Sequence, residues 1–360
     1  MITKIIFGEK TFEKLFLEIE KANCKNPLLI CGKHFQSTNQ FNLFKSKMSS
    51  FELFDSIEPN PSIDSVNSAA KLLNKKNCDC VIGIGGGSVL DASKVVAVMK
   101  DFENSCEDFY HSFDSIKKTV PFFALPTTSG TGSELTKYSV LTLPSKIKKT
   151  LRSKKFYAKI AIVDSELTYS MPSSLTATTG LDAFCQAIES YWAVNATTQT
   201  KAHAKEAIQL AFFSLAKAVN YPEHSSRQDM ALASITAAKA FDYTGTTACH
   251  SISYAFTQMY GLAHGFAVAL TLPWFLEFYS KVREKECLEI CSFIGANNIA
   301  EGRKKIISLM KEVNAPISLR EIGCEKKDFK KIISQSLSQK PNNPRQHVAK
   351  DLQLMLEEIF

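Results

Sequence analysis

The first 170 residues alternate short apolar runs, rich in β-branched residues, with patterns of helical spacing. The runs read NPLLICG, CDCVIGIG, TVPFFALPTT and AKIAIVDS, and residues 62–75 between the first two carry an apolar helical stripe. Continuous apolar strands separated by helices are typical of a parallel sheet covered on both faces. The pattern therefore predicts an α/β domain of the doubly wound, nucleotide-binding kind over residues 1–171.

Beyond residue 172 the apolar positions recur at spacings of three and four almost throughout. Segments with this pattern include AKEAIQLAFFSLAKAV, QDMALASITAAKAF, GRKKIISLMKEV and KDLQLMLEEIF. This spacing predicts amphipathic helices, so residues 172–360 are expected to form an all-α second domain. Ligands usually bind in clefts between domains, so a ligand site is expected where the two domains meet.

Four polar residues in the helical half could form a metal site. Asp182 and Gln186 lie one helical turn apart within TGLDAFCQAIESYW, and His250 and His264 follow in CHSISYAFTQMYGLAHG. Carboxylate, amide and imidazole groups together suit a divalent metal. The alternative is that these four residues bind no metal, because Asp and Gln on a helix are most often surface residues and a lone His usually has ordinary hydrogen-bond partners.

Two polar loops follow predicted strands in the first half. In VIGIGGGSVLDASK, three glycines precede a helix, and such a turn lets backbone amides approach a phosphate. It matches neither the GxGxxG fingerprint nor the phosphate-binding loop that ends in Gly-Lys-Ser/Thr. In ALPTTSGTGSELTKYSV, many hydroxyl residues could wrap phosphate and sugar oxygens. Each loop could also be a plain surface turn.

Composition narrows the class of protein. The 360 residues are 45% hydrophobic and 22% charged, as in an ordinary globular protein. The net charge of +7 comes from short lysine clusters without interleaved aromatics, which favours a solvated surface over nucleic-acid binding. With no membrane span and no signal peptide in the pattern, a cytoplasmic protein is expected. Ten scattered Cys are expected to be reduced thiols.

Five motifs occur together in the order and spacing of a known family. They are GGGSVLDASK, LPTTSGTGSE, AIVDS, TGLDAFCQAIES and the His-x13-His segment ending LAHGFAVALTLP. The chain resembles the iron-containing, or group III, alcohol dehydrogenase family over essentially its full length, including KIIFGEKTFEKL and NNPR. The resemblance implies a dehydroquinate synthase-like fold, NADP or NAD, and a divalent metal, Fe(II) or Zn(II). It also implies hydride transfer to a small aldehyde and, by analogy, a homo-oligomer that is a dimer or larger.

The resemblance assigns the metal ligands to Asp182, Gln186, His250 and His264. Gln186 stands where the family usually has His, and an amide oxygen is a weaker donor than imidazole. Three outcomes are open: Gln186 ligates through its oxygen, it leaves an Asp-His-His site, or the metal is lost. Tyr254 stands where many members carry a further His, so a proton relay there would run through a phenol.

The family's cofactor contacts fall in three places. They are Gly86, Gly87, Ser88 and Asp91; Thr127, Thr128, Ser133 and Thr136; and Lys148. In such folds an acidic residue after the first strand often binds the ribose 2′-hydroxyl, and here that position is Gly32. Lys33, His34 and Ser37 could receive a 2′-phosphate, so NADPH is expected, with use of NADH as well.

The substrate is the least determined part. With its Gln-for-His change, the segment LDAFCQAIESYW looks similar to that of a subgroup that reduces phosphonoacetaldehyde. That substrate would need cations such as Lys137 or Arg345 to bind its phosphonate. With Tyr254 as a proton donor, Lys137 is then the second predicted catalytic residue. Short-chain alcohols and diols of the butanol, propanediol or glycerol type are the alternative. A dehydroquinate synthase-type lyase and a metal-free, non-catalytic binding protein also remain open.

Overall fold

Two structural units divide the chain. The computed structural model describes residues 3–113, 116, 118–337 and 340–360. The N-terminal unit comprises the residues up to Thr128 together with Gly132–Thr168. The helical unit comprises Ser129–Thr131 and Tyr169–Phe360. The chain therefore changes from mixed to helical structure close to residue 169.

A six-stranded parallel sheet forms the centre of the N-terminal unit. Its strand order is β1-β8-β5-β4-β2-β3. The strands are β1 (Lys4–Phe7), β2 (Pro27–Cys31), β3 (Glu52–Phe54), β4 (Cys80–Gly85), β5 (Phe122–Pro126) and β8 (Ile160–Val163). From β2 the chain moves outward to β3, whereas from β4 it moves the other way to β5. The direction of winding thus reverses between β2 and β4, where doubly wound sheets bind their ligands.

Helices cover both faces of this sheet. Leu28 and Ile30 of β2 pack in one apolar cluster with α3 and α4, whereas Leu29 and Cys31 pack in another with α1 and α2. The helices are α1 (Lys14–Lys21), α2 (Asn39–Lys47), α3 (Ile63–Lys75) and α4 (Gly87–Val98). Both faces of β2 are buried, which explains its unbroken apolar sequence. The predicted α/β class is confirmed.

The hydroxyl-rich segment after β5 is more structured than the predicted loop. A short 3₁₀ helix (Ser133–Leu135) leads into β6 (Tyr138–Thr142), which pairs antiparallel with β7 (Lys148–Arg152). Residues 138–140, expected to continue the loop, are therefore strand. Buried Leu141 and Leu151 pack this hairpin on the cluster around α3 and α4. Lys148 and Lys149 lie in β7 of this two-stranded sheet, and Lys149 is exposed.

The described part of the helical unit contains helices and no strand. They are α5 (Ser173–Trp192), α6 (Thr198–Asn220), α7 (His224–Thr244), α8 (Ala248–Tyr260), α9 (His264–Ala269), α10 (Leu272–Ser280), α11 (Glu284–Phe293), α12 (Ile299–Glu312), α13 (Phe329–Ser336) and α14 (Ala349–Glu358). The central helix is α5, which packs against α6, α7 and α9. None of the helices in the described ranges is both long and apolar enough to cross a membrane.

Glu134 gives the stability of the protein a predictable pH dependence. It lies buried in the 3₁₀ helix before β6, and burial raises the pKa of its carboxyl to about 7, against 4.5 in an unfolded chain. Below about pH 4.5 Glu134 therefore does not lower the free energy of unfolding. That free energy falls by about 3 kcal/mol as the pH rises from there through 7. We expect Glu134→Gln to unfold at higher urea than the parent at pH 8, and at similar urea at pH 5.

The control is Glu206→Gln, which makes the same change on the exposed face of α6. Urea unfolding of parent and variants at both pH values measures the difference. Equal slopes of stability against pH for parent and Glu134→Gln would show that Glu134 is ionised at no cost in the fold.

Candidate active site

Helix α5 carries three buried polar residues on one face. Asp182, Gln186 and Glu189 are spaced by four and three residues, so they line the same side of the helix. They are 3%, 5% and 0% exposed. Charged and amide groups buried to this extent need partners, which neighbouring elements of the helical unit must supply.

The two histidines reach this face from consecutive helices. His250 lies in the first turn of α8, and Gly261 ends that helix in a left-handed conformation (φ +66°) that favours glycine. His264 is then the first residue of α9. The neighbouring Gly265 lies so close to α5 that a Cβ there would come within 1.7 Å of the Thr178 carbonyl oxygen. The absence of a side chain at residue 265 thus lets α9 bring His264 to the α5 face.

Three of the four predicted metal ligands converge. One donor atom each from Asp182, His250 and His264 lies within 4.8 Å of the others. His250 Nε2 lies 3.2 Å from Asp182 Oδ1, and His264 Nε2 lies 3.9 Å from the same oxygen. Because one carboxylate oxygen and two imidazole nitrogens face a common point, the set suits Zn(II) or Fe(II).

Gln186 presents an unsatisfied oxygen at the same place. Its Oε1 is buried and has no hydrogen-bond partner, although a buried amide oxygen without one is costly. Its amide group interacts with Asp182, the residue one turn earlier. A divalent cation bound by Asp182 would supply the partner that Oε1 lacks, so the residues present fit the metal implied by the donor set.

Glu189 orients the His250 ring through the ring nitrogen that faces away from Asp182. Its carboxylate accepts a hydrogen bond from His250 Nδ1, and Oε1 also accepts from the Thr247 hydroxyl (2.7 Å) and the backbone amides of Thr247 (3.1 Å) and Cys249 (2.9 Å). His250 Nδ1 is thereby engaged, so Nε2, which points at Asp182, is the ring nitrogen available to a metal. Carboxylate, imidazole and metal in this order are a common arrangement in metal sites.

The segment after α13 supports the same turn. Asn342 Nδ2 donates to the carbonyl oxygens of Thr244 (2.9 Å) and Thr246 (3.0 Å), and Lys340 Nζ donates to Thr246 Oγ1 (2.9 Å). These contacts fix the residues between α7 and α8, from which Glu189 receives its hydrogen bonds. The NNPR motif thus has a structural role in positioning the first turn of α8.

Burial and the neighbouring groups shift the pKa values of Asp182 and His250 in opposite directions. Burial alone would raise the pKa of the Asp182 carboxyl, but the hydrogen bond to His250 and the charge of His264 hold it below its usual value. Burial would lower the pKa of His250, but Glu189 and Asp182 outweigh it and raise that pKa to about 9. A metal ion must displace the His250 proton to bind Nε2, so ion binding at neutral pH releases a proton.

The three predicted substrate and catalytic residues, Tyr254, Arg345 and Lys137, lie in different parts of the fold. Tyr254 is 40% exposed and stacks on the His264 ring, with 6.2 Å between ring centroids. Arg345 stacks on Phe278 and lies 3.5 Å from the Asp351 carboxylate, so its charge already has a partner. Lys137 belongs to the N-terminal unit, where its ammonium lies over the Tyr138 ring. Only Tyr254 of the three adjoins the Asp-His-His cluster within the helical unit.

The predicted cofactor residues gather at one edge of the parallel sheet. Gly32, Lys33 and Ser37 follow β2, the Gly86 turn follows β4, and Thr127 follows β5, three adjacent strands that all end at this edge. The Thr127 amide donates to the Gly85 carbonyl (3.0 Å), which ties the last two turns together. Gly86, Gly87 and Ser88 form the start of α4. This edge includes the N-terminus of α4, whose first backbone amides suit a pyrophosphate.

Other predicted cofactor residues are occupied by contacts within the N-terminal unit. The Asp91 carboxylate accepts from the Ser133 hydroxyl (2.5 Å) and the Val140 amide (2.8 Å). Lys94 Nζ lies 3.6 Å from Asp91 Oδ1 and donates to Thr136 Oγ1 (3.2 Å). This network anchors the hydroxyl segment to α4, so it shapes the loop that Thr127 and Thr128 begin. Lys148 is half-buried at the start of β7, and burial lowers its pKa.

The sequence interpretation missed two residues of these sites. Glu189 completes an Asp-x3-Gln-x2-Glu spacing on α5 that could have revealed it. Asp55 directly follows the short edge strand β3, beside the end of β2, and accepts a hydrogen bond from Gln36 Nε2 (2.8 Å). That bond, reinforced by the Lys33 charge, lowers the pKa of Asp55. The N-terminal unit therefore has an acidic group near the position that Gly32 leaves without one.

Comparison with known families gives two matches that together span nearly the whole chain. The sequence model described as iron-containing alcohol dehydrogenase matches residues 3–165. The model described as the Fe-containing alcohol dehydrogenase family, C-terminal, matches residues 176–360. The two matches correspond to the N-terminal and the helical unit.

Individual relatives are similar along most of their length. An NADPH-dependent butanol dehydrogenase of Clostridium saccharobutylicum is 30% identical over 91% of this chain and 87% of its own. Alcohol dehydrogenase 4 of Schizosaccharomyces pombe is 28% identical over 92% of this chain and 81% of its own. The crystal structure of sulfoacetaldehyde reductase from Bifidobacterium kashiwanohense in complex with NAD+ superposes with a TM-score of 0.94, at 29% identity, over 99% of this chain and 96% of that one.

Proposed function

The chain belongs to the iron-containing alcohol dehydrogenase family and is an oxidoreductase acting on CH–OH groups, and from this premise we propose that it reduces a small aldehyde at Asp182, Gln186, His250 and His264. The observation that carries the proposal is the convergence of three donor atoms within 4.8 Å, with Glu189 holding the tautomer of His250. The unpartnered oxygen of Gln186 supports ligation by the amide over the alternative in which Gln186 takes no part.

The chain's own residues have separate tasks in this reaction. A divalent ion at the site supplies Lewis-acid polarisation of the carbonyl, and NAD(P)H supplies the hydride. Asp182, His250, His264 and Gln186 fix one point in the helical unit, and Glu189 prevents the His250 ring from rotating away. Tyr254, exposed and stacked on His264, holds a phenol beside that point and can deliver the proton that the reduced oxygen needs.

The choice of cofactor is proposed from the loop after β2. Lys33, His34 and Ser37 are exposed there, and the Asp55 carboxylate is already bound to Gln36. A cation and two polar groups suit a 2′-phosphate, whereas a carboxylate in the same place would repel it. We therefore expect NADPH to be preferred, with NADH also used.

For the substrate we propose an aldehyde that carries a phosphonate group, phosphonoacetaldehyde. The Gln-for-His change at residue 186 motivates this choice, and the similarity to a reductase of sulfoacetaldehyde, another anionic two-carbon aldehyde by its name, supports it. Lys137 and Arg345 are the candidate cations for the phosphonate, and Arg345 is also paired with Asp351. The butanol dehydrogenase relative favours the second candidate, a short-chain alcohol or diol dehydrogenase.

The test is NADPH and NADH oxidation by the full chain reconstituted with Fe(II) or Zn(II). Phosphonoacetaldehyde, sulfoacetaldehyde and butyraldehyde are compared, with the metal content of each preparation measured. We expect phosphonoacetaldehyde to exceed butyraldehyde by about a hundredfold in kcat/KM, which is about 2.7 kcal/mol of transition-state discrimination. Equal values for the two would establish the short-chain function instead.

The remaining alternatives have their own signatures in the same experiment. A dehydroquinate synthase-type lyase would consume no NADPH with any aldehyde. A metal-free binding protein would hold no ion at near-stoichiometric level and would stay inactive after either metal is added.

A further inference from the structure

A second cluster of metal-ligand and thiol groups lies in the N-terminal unit, far along the chain from Asp182. The Sγ atoms of Cys24 and Cys80 and a carboxylate oxygen of Asp79 lie within 4.8 Å of one another. Cys24 belongs to the loop between α1 and β2, and Cys80 is the first residue of β4. From this geometry we propose that Cys24 and Cys80 form a reversible intrachain disulfide when the protein meets a hydroperoxide.

The backbone around the two thiols is fixed, so they stay near each other. The Asp79 carboxylate accepts from the amides of Lys25 (2.6 Å) and Asn26 (3.1 Å), and the Asp79 amide donates to the Asn26 carbonyl (3.0 Å). One residue later Pro27 is the register partner of Cys80 in the parallel pair of β2 and β4. Residues 24–27 and 79–80 are thus joined on both sides of the thiols.

The Asp79 bonds also decide against a metal as the occupant. Asp79 and the two thiols are the three donors that the described residues bring together here, and both Asp79 oxygens already accept from backbone amides. Structural sites for soft divalent ions hold four ligands. Two adjacent thiols are sufficient for a disulfide.

Exposure and acidity set Cys24 apart from the other cysteines. Of the ten cysteines, all of which lie in the described ranges, nine are buried and Cys24 is half-buried. The hydrogen bond from the Cys80 thiol lowers the pKa of Cys24, whereas burial raises the pKa of Cys31 and Cys106 to about 12. Reactive thiols are those that ionise readily and reach solvent, so Cys24 is the attacking sulfur and Cys80 the resolving one.

The oxidation balances in two steps. The Cys24 thiolate attacks one peroxide oxygen, so an S–O bond forms, the O–O bond breaks, and hydroxide leaves. The Cys80 sulfur then attacks the sulfenic sulfur, so the S–S bond forms, the S–O bond breaks, and the oxygen leaves as water with the Cys80 proton. Two electrons pass from the sulfurs to the peroxide, and two molecules of a thiol such as reduced glutathione reverse the change, leaving as the glutathione disulfide.

The disulfide would lie at the amino-terminal ends of the strands, whereas the Gly86 turn lies at their carboxyl-terminal ends. Cys80 begins β4, whereas Gly85 ends it and leads into the glycine turn. Oxidation would therefore join the loop before β2 to the start of β4 without altering the cofactor edge. We expect the oxidised protein to keep its activity and to unfold about 5 °C higher than the reduced protein.

The experiment uses the full chain with hydrogen peroxide at a few equivalents, followed by alkylation of the remaining thiols and peptide mass spectrometry. The control is Cys78→Ser, which removes a buried thiol two residues from Cys80 that lines an open surface cavity beside Asn26 and Asp79. We expect parent and control to yield a peptide pair linked through residues 24 and 80. We expect Cys24→Ser to yield none and to show no rise in unfolding temperature.

A variant of the resolving residue adds a second measurement. In Cys80→Ala, the Cys24 sulfenic acid has no thiol to condense with and should accumulate, so it is trapped by dimedone. The proposal is overturned if Cys24 in the parent is alkylated as fully as the buried thiols after peroxide, or if the linked peptides join other cysteines. Oxidation of Cys24 straight to sulfinic acid in the parent would overturn it as well.

Discussion

Gly265→Ala is expected to destabilise the protein by more than about 4 kcal/mol, or to prevent folding of the helical unit. A Cβ at residue 265 would lie 1.7 Å from the carbonyl oxygen of Thr178, 2.8 Å from its carbonyl carbon and 3.1 Å from the amide nitrogen of Asp182. All three atoms are backbone of α5, so no side chain can rotate to make room. Relief requires α9 to move away from α5, which separates His264 from Asp182.

Two other glycines complete a graded series. At Gly180 a Cβ would meet Leu215 Cδ1 at 2.3 Å and Met230 Cε at 2.9 Å, the flexible ends of side chains, so Gly180→Ala should cost about 1–3 kcal/mol. At Gly32 a Cβ would meet nothing within 4 Å, so Gly32→Ala should be within about 0.5 kcal/mol of the parent. Urea unfolding of the metal-free chains, followed by circular dichroism, measures all three. A Gly265→Ala chain as stable as Gly32→Ala would contradict the close approach of α9 to α5.

The strands that the sequence predicts and those it misses differ in their burial. β2, β4, β5 and β8 have no exposed residue, so their sequences are continuous apolar runs that stand out from the helices. β1 and β3 are the two edges of the sheet and are only partly buried, and ELF in β3 is too short for a pattern. β7 reads KKTLR, in which only Leu151 is buried. Apolar patterns report burial, so elements with one exposed side are the ones overlooked.

The candidate site could be predicted only where local spacing decides it. Asp182 and Gln186 share a helical face because they are four residues apart, and that relation survives in any packing of α5. The approach of His264 depends instead on Gly265. A glycine is needed there because the backbone of α5, some eighty residues earlier in the chain, lies against it. Glu189 was overlooked because a Glu on a helix is usually exposed, and its burial results from the turn of Thr247 and Cys249 folding over it.

Asp182→Asn is expected to abolish stoichiometric binding of Fe(II) or Zn(II) and to lower kcat/KM for the aldehyde by on the order of a thousandfold, about 4 kcal/mol. The Asp182 carboxylate faces both histidines, with Oδ1 at 3.2 Å from His250 and 3.9 Å from His264. Asn keeps the shape and an oxygen, but it removes the negative charge that balances a divalent ion in a buried site. Metal content by mass spectrometry and aldehyde-dependent NADPH oxidation measure the two effects separately.

Glu189→Gln should act in the same direction with a smaller effect, because its carboxylate reaches the ion only through His250. Loss of such a partner typically costs ten- to a hundredfold in metal affinity, so this variant should regain activity when more metal is added, whereas Asp182→Asn should not. Glu206→Gln on exposed α6 makes the same chemical change away from the site and should match the parent in both measurements. If Asp182→Asn held the ion as tightly as Glu206→Gln does, the cluster of Asp182, His250 and His264 would not be the metal site. If instead Glu189→Gln lost the ion beyond recovery, Glu189 would be supplying charge to the site and not only orienting His250.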